Sequence, residues 1–185
     1  MGYTTEFYGE LTFNKPISKE LKTYINEFSM RRHMIRDINI IKRMDPDWKQ
    51  HCFNGDLGKE GCYYIVPLEI PQTWVENTRW SIKNENGLIL NSFGQERDIS
   101  VIDNNSSPST CPGLWCQWKI SDNDTLCWDG GEKFYNYVEW LTYLIKNFFE
   151  PLGYKLSGII NWQGEYSDDT GSIKVIDNDI YVYDL

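Results

Sequence analysis

The chain has 185 residues, a formal charge of −9 and 15% aromatic residues, with eight Trp and twelve Tyr. That length holds a sizeable core in a single domain, 1–185, or in one domain carrying an insertion. The acidic balance argues against sequence-independent DNA binding, which neutralises phosphates with cations. No apolar run reaches the length of a membrane span and no charged-then-apolar leader opens the sequence, so a cytoplasmic protein away from membranes is expected.

Residues 5–13 alternate strictly. Thr5, Phe7, Gly9, Leu11 and Phe13 face one way, and Glu6, Tyr8, Glu10 and Thr12 the other, which predicts a half-buried strand. Ser18 is placed to cap a helix carrying Leu21, Tyr24, Ile25 and Phe28. The pattern Phe7-x-Gly9-x-Leu11-x-Phe13 is echoed by Leu156-x-Gly158-x-Ile160-x-Trp162. Glycine inside a strand marks close approach by another element. The echo therefore predicts two central strands with a flat area where helices cross.

Residues 29–44 carry Arg31, Arg32, Arg36, Lys42 and Arg43 against Asp37, a local charge of +4 that leaves −13 on the rest. Met30, Met34, Ile38 and Ile41 have roughly helical spacing, so the helix is expected to continue with its cations on a solvated face. That face is a candidate site for phosphate, RNA or an acidic partner. The segment 46–112 reads as an inserted β-rich elaboration, with strand-like runs at Cys62–Val66, Arg79–Lys83 and Asp98–Ile102 between glycine-rich and serine-rich turns.

A hairpin follows, with alternation over Leu114–Ile120, a turn at Ser121–Asp124 and a return strand at Thr125–Trp128. It feeds the main helix, on which Phe134, Val138, Leu141, Ile145 and Phe148 recur at steps of three and four. Asp129 and Glu132 have capping-box spacing, while Pro151 and Gly153 mark the far end. Turns at Ser167–Gly171 and Asp177–Asp179 divide the remaining sequence into a β-meander. The sum is an α+β fold, a mainly antiparallel sheet with two principal helices and the β-rich insertion.

Sites are harder to read. Five cysteines are an odd number without a framework spacing, so reduced thiols are expected. Cys111, Cys116 and Cys127 lack zinc-knuckle spacing, and the aspartates near 168 and 177 lack calcium-loop spacing. No metal and no cofactor are expected, nor any catalytic residues; two histidines with no adjacent nucleophile pattern argue against a Ser- or Cys-His hydrolase. Trp115, Trp128, Tyr135 and Tyr143 fall outside the predicted core faces. Such aromatics suit interface anchors or base-stacking platforms.

Met1–Glu10, Arg31-Arg32 with Arg36-Asp37, Cys111–Trp118, Gly130–Leu141, and Trp162–Glu165 with Asp168–Gly171 together resemble a family of small uncharacterised proteins carried by phages and bacterial genomes. The resemblance spans nearly the whole chain. It brings no reaction, but it implies a phage or prophage setting and, by analogy, a host protein as partner. The expectation is a non-enzymatic binding protein that blocks a bacterial defence nuclease, such as an RNA-guided CRISPR effector. Its expected surface joins Arg31, Arg32 and Arg36 with Trp115, Trp128, Asp129 and Tyr135. The alternatives are RNA or nucleotide binding through residues 31–43 and, third, a small enzyme acting on a nucleotide.

Overall fold

Alternation at the N-terminus builds the strand it predicts. The computed structural model describes residues 3–184. In chain order its elements are β1 (Glu6–Phe13), α1 (Lys19–Ser29), β2 (Ile35–Arg36), α2 (Ile38–Met44), β3 (Glu69–Ile70), β4 (Ile89–Leu90), β5 (Val101–Asp103), β6 (Trp118–Ile120), β7 (Thr125–Trp128), α3 (Tyr137–Leu144), β8 (Leu156–Gln163), β9 (Thr170–Ile176) and β10 (Asp179–Asp184). The fold is α+β. The chain divides into two compact units, one formed by the residues up to Ser29 and from Cys116 onward, the other by Met30–Trp115.

The first unit is a six-stranded antiparallel sheet in the order β10-β9-β8-β1-β7-β6. The two echoed strands are its central pair. Phe7 faces Trp162, Gly9 faces Ile160, Leu11 faces Gly158 and Phe13 faces Leu156, so each glycine lies opposite a branched aliphatic residue. Both glycines have positive φ, 107° and 150°. A Cβ at Gly9 would strike the Ile159 carbonyl, and one at Gly158 the Glu10 carbonyl. The close approach is therefore between strands, which corrects the expectation of a crossing helix.

One face of this sheet is covered. Phe7 sits at the centre of an aromatic cluster, with ring centroids 4.8 Å from Tyr137, 5.5 Å from Trp118, 5.6 Å from Trp128 and 5.8 Å from Phe134. Phe28 of α1 packs on Phe148 at 5.2 Å and stacks on Tyr143 at 6.1 Å. Ser18 caps α1 as expected, its Oγ accepting from Leu21 N at 3.2 Å.

The main helix starts later than its periodicity predicts. Phe134 is buried, held against Trp118 at 5.1 Å, before the helix begins at Tyr137. Tertiary packing overrides the helical spacing there. Asp129 and Glu132 form no capping box; Asp129 Oδ1 instead accepts from Gly131 N at 2.7 Å in a tight turn. Beyond Leu144 the chain continues through a π-helical turn, Ile145–Phe149, and a 3-10 turn, Glu150–Leu152, to Gly153 at φ 73°.

The second unit has short strands, β2 with β5 and β3 with β4. Neither Cys62–Val66 nor Arg79–Lys83 forms a strand, so this unit carries much less β structure than its sequence suggests. Its core gathers Ile41, Leu57, Val66, Ile70, Trp74 and Ile89. The helix expected through residues 29–44 breaks after Ser29 and resumes at Ile38, where Asp37 Oδ1 accepts from Asn39 N at 2.8 Å and Ile40 N at 3.2 Å.

Candidate functional site

The arginines of the basic segment do not form a surface. Arg31 is buried, its Nε donating to the Val66 carbonyl at 2.9 Å. Arg36 donates through Nη1 to Asp98 Oδ2 and to Ser100 Oγ at 2.8 Å, and the ion pair is sealed, with side chains 3% and 0% exposed. Arg32 is half-buried. Its Nε and Nη2 both donate to the Asn104 carbonyl, at 3.1 and 2.9 Å, and its guanidinium lies over the Trp115 ring at 5.6 Å. Arg31 and Arg36 are thus corrected from exposed contacts to internal struts, and Trp115 is engaged within its own unit. For Arg31 and Arg32 the physical reason is irregular backbone, whose carbonyls lack a strand partner and need donors, and guanidinium has five; Arg36 turns inward to a buried carboxylate instead. Of the five cations in the basic segment, Lys42 and Arg43 are the exposed ones.

Trp128 is also corrected. It is half-buried on Phe7, and its Nε1 donates to Gln117 Oε1 at 3.1 Å. Gln117 in turn accepts from Asp129 N at 2.9 Å through its main chain and donates to the Glu132 carbonyl at 2.9 Å. Asp129 is exposed as a residue, but partial desolvation raises its carboxyl above the usual range, against the pull of the Gly131 N–H. Tyr143 is buried. Tyr135 is the expected aromatic that does reach solvent, 57% exposed.

The uncovered face of the first unit's sheet was not singled out by sequence reasoning. Register places Tyr8, Asn161, Ser172 and Tyr183 in one row across four strands, and Glu10, Ile159, Lys174 and Tyr181 in the next. Tyr8 is 54% exposed and Tyr183 48%. Tyrosines set among Asn and Ser are the chemistry of protein-recognition surfaces, where rigid amphipathic rings give contact area at low entropic cost. The signal was present in the alternation of β1, but the four strands have to be aligned before the rows exist. Trp80 was also missed. It is 83% exposed with Ile82 beside it on the second unit, and Arg79 lies over its ring at 5.0 Å.

A pocket of about 280 Å³ opens where α3 begins, walled by Tyr3, Tyr135, Tyr137 and Trp162 and carrying the Asp169 carboxylate. Tyr3 donates its hydroxyl to Asp169 Oδ2. That bond is the first cause of a raised Tyr3 pKa.

The five cysteines, all among the described residues, form no disulfide. Burial pushes the Cys116 thiol up to about 12 and Cys52 to about 11, so both stay protonated and poorly nucleophilic near neutral pH. Among the described residues no group of three His, Cys, Asp or Glu is placed to hold a metal ion, and no helix is long and apolar enough to cross a membrane.

Fold and surface together define an α+β protein with one sheet face packed and the other open. No protein-family model, no curated protein and no solved structure matches the chain.

Proposed function

We propose that this chain is a binding protein that acts by occupancy, laying the open sheet face of its first unit on a basic protein surface. The observation that carries the reading is the pair of exposed rows led by Tyr8, Tyr181 and Tyr183. Their setting supports a basic partner. The first unit has eight lysines and no arginine against sixteen carboxylates, a net −8. The charge belongs to the unit as a whole: an acidic body speeds encounter with a basic surface and disfavours acidic competitors.

The narrower reading is that the partner is a bacterial defence nuclease in the cytoplasm, an RNA-guided effector whose nucleic-acid channel is basic. The resemblance of Gly130–Leu141 and Cys111–Trp118 to small proteins carried by phages and bacterial genomes favours it. RNA binding through residues 31–43 loses support because Arg31 and Arg36 face inward.

Titration into an effector's cleavage reaction tests the proposal. Inhibition should complete near one protein per effector. Tyr8→Ala and Tyr181→Ala should each weaken it by about 2 kcal/mol, roughly thirtyfold, if they are anchors. Full inhibition at ratios far below one would instead indicate turnover and overturn the occupancy reading.

A further inference from the structure

We propose that the pocket at the start of α3 is a receptor for one cationic side chain, the ammonium of a lysine or the guanidinium of an arginine presented by a protein partner. The inference rests on the reading that the first unit meets a basic surface, and it names the group that unit captures. Tyr3, Tyr135, Tyr137 and Trp162 line the pocket, with Asp169 among them. Aromatic faces attract cations through their quadrupoles, and a carboxylate in the same enclosure adds full charge. The volume of about 280 Å³ lies just below the roughly 300–1,000 Å³ of small-molecule clefts, room for one long side chain.

The pocket is pre-built. A Cβ at Gly164 would collide with both Asp169 Oδ2 and the Tyr3 hydroxyl, so the missing side chain makes room for that pair. The loop is pinned by Gly164 N to the Asp169 carbonyl at 2.8 Å and by Glu165 N to the Tyr3 hydroxyl oxygen at 3.1 Å. Its field is negative. The Tyr137 phenol is pushed above its ordinary value first by burial, then by the carboxylates of Asp169, Asp184 and Glu139. The N-terminus of α3 opposes a cation with roughly half a unit of positive charge, against the full charge of the Asp169 carboxylate in the pocket lining.

The test is an NMR titration of the full chain, following the Trp162 indole resonance. The probes are the N-acetyl methylamides of arginine, lysine and citrulline, and tetramethylammonium. Arginine or lysine amide should bind saturably, with citrulline, similar in shape but uncharged, roughly tenfold weaker. Asp169→Asn should weaken binding by a similar factor. Tyr135→Ala should weaken it without altering the melting temperature, because Tyr135 is exposed. Gly164→Ala should weaken it by displacing Asp169. Equal binding of citrulline, indifference to both Asp169→Asn and Tyr135→Ala, or no saturable shift overturns the proposal. Binding of tetramethylammonium alone overturns the side-chain assignment in favour of a free quaternary amine. If the protein inhibits a basic effector yet binds neither amide, the pocket reading alone fails. If it binds an amide but meets no basic protein surface, the occupancy reading alone fails.

Discussion

The two units solve the same problem with different chemistry. In the first, strands and helices satisfy the main chain, and it contains no arginine. In the second, strands are two or three residues long, and all six arginines are found there with four lysines against eleven carboxylates, a net −1. Where backbone pairs with backbone, charge is left to the surface. Where it does not, charged side chains turn inward as Arg31 and Arg36 do, and the unit's net charge says little about what its surface offers. The acidity of the whole chain is thus almost entirely the acidity of its regular half.

The strongest way to break this contrast is Arg36→Ala. It leaves Asp98 buried without its partner and should destabilise the protein by about 3–5 kcal/mol in urea. Arg36→Met paired with Asp98→Leu should recover part of that loss, because the double change removes the stranded charge. A single variant as stable as the wild type would mean that the second unit does not depend on its guanidinium struts.

Gly158→Val probes the regular half. Its side chain would enter a φ of 150° and meet the Glu10 carbonyl, so a loss of about 2–3 kcal/mol is expected in the same assay. Wild-type stability would show that the central strands tolerate more separation than their register implies.

The smallest effect concerns the thiols. At pH 8 iodoacetamide should modify half-buried Cys127 before buried Cys52 and Cys116, as peptide mapping by mass spectrometry after a short labelling pulse would resolve. The folded pKa values of about 11 and about 12 lie above the ordinary 9.0. Stability drawn from keeping these thiols protonated is therefore complete below pH 9 and falls as pH rises through the window up to 12. Cys116 reacting first at pH 8 would contradict its burial.

What was legible in the sequence follows the same division. β1, the Ser18 cap, the β6–β7 hairpin and the final meander announce themselves through local alternation and turn residues. The pairing of β1 with β8 was legible because their patterns repeat. In the second unit, the partner of Arg31 is a carbonyl at Val66, and nothing in the spacing of either residue encodes it. Trp128 read as unplaced because the ring that covers it, Phe7, lies at the other end of the chain. Tyr135 was recognisable as exposed, but its neighbours Tyr3, Trp162 and Asp169 become neighbours only after the sheet forms.

The chain leaves the first unit after Ser29 and re-enters it at Cys116, and these two ends are tied. Ser29 Oγ donates to the Trp118 carbonyl and approaches Cys116 Sγ at 3.6 Å. Everything between them is a closed loop. The entropy of closing a flexible loop grows only with the logarithm of its length, so replacing residues 30–115 by a bridge of about ten residues would change the closure cost by only about 2 kcal/mol. The neck holds both ends of residues 30–115 on the first unit. By closure entropy alone, the sheet is nearly indifferent to the length of chain that the neck spans.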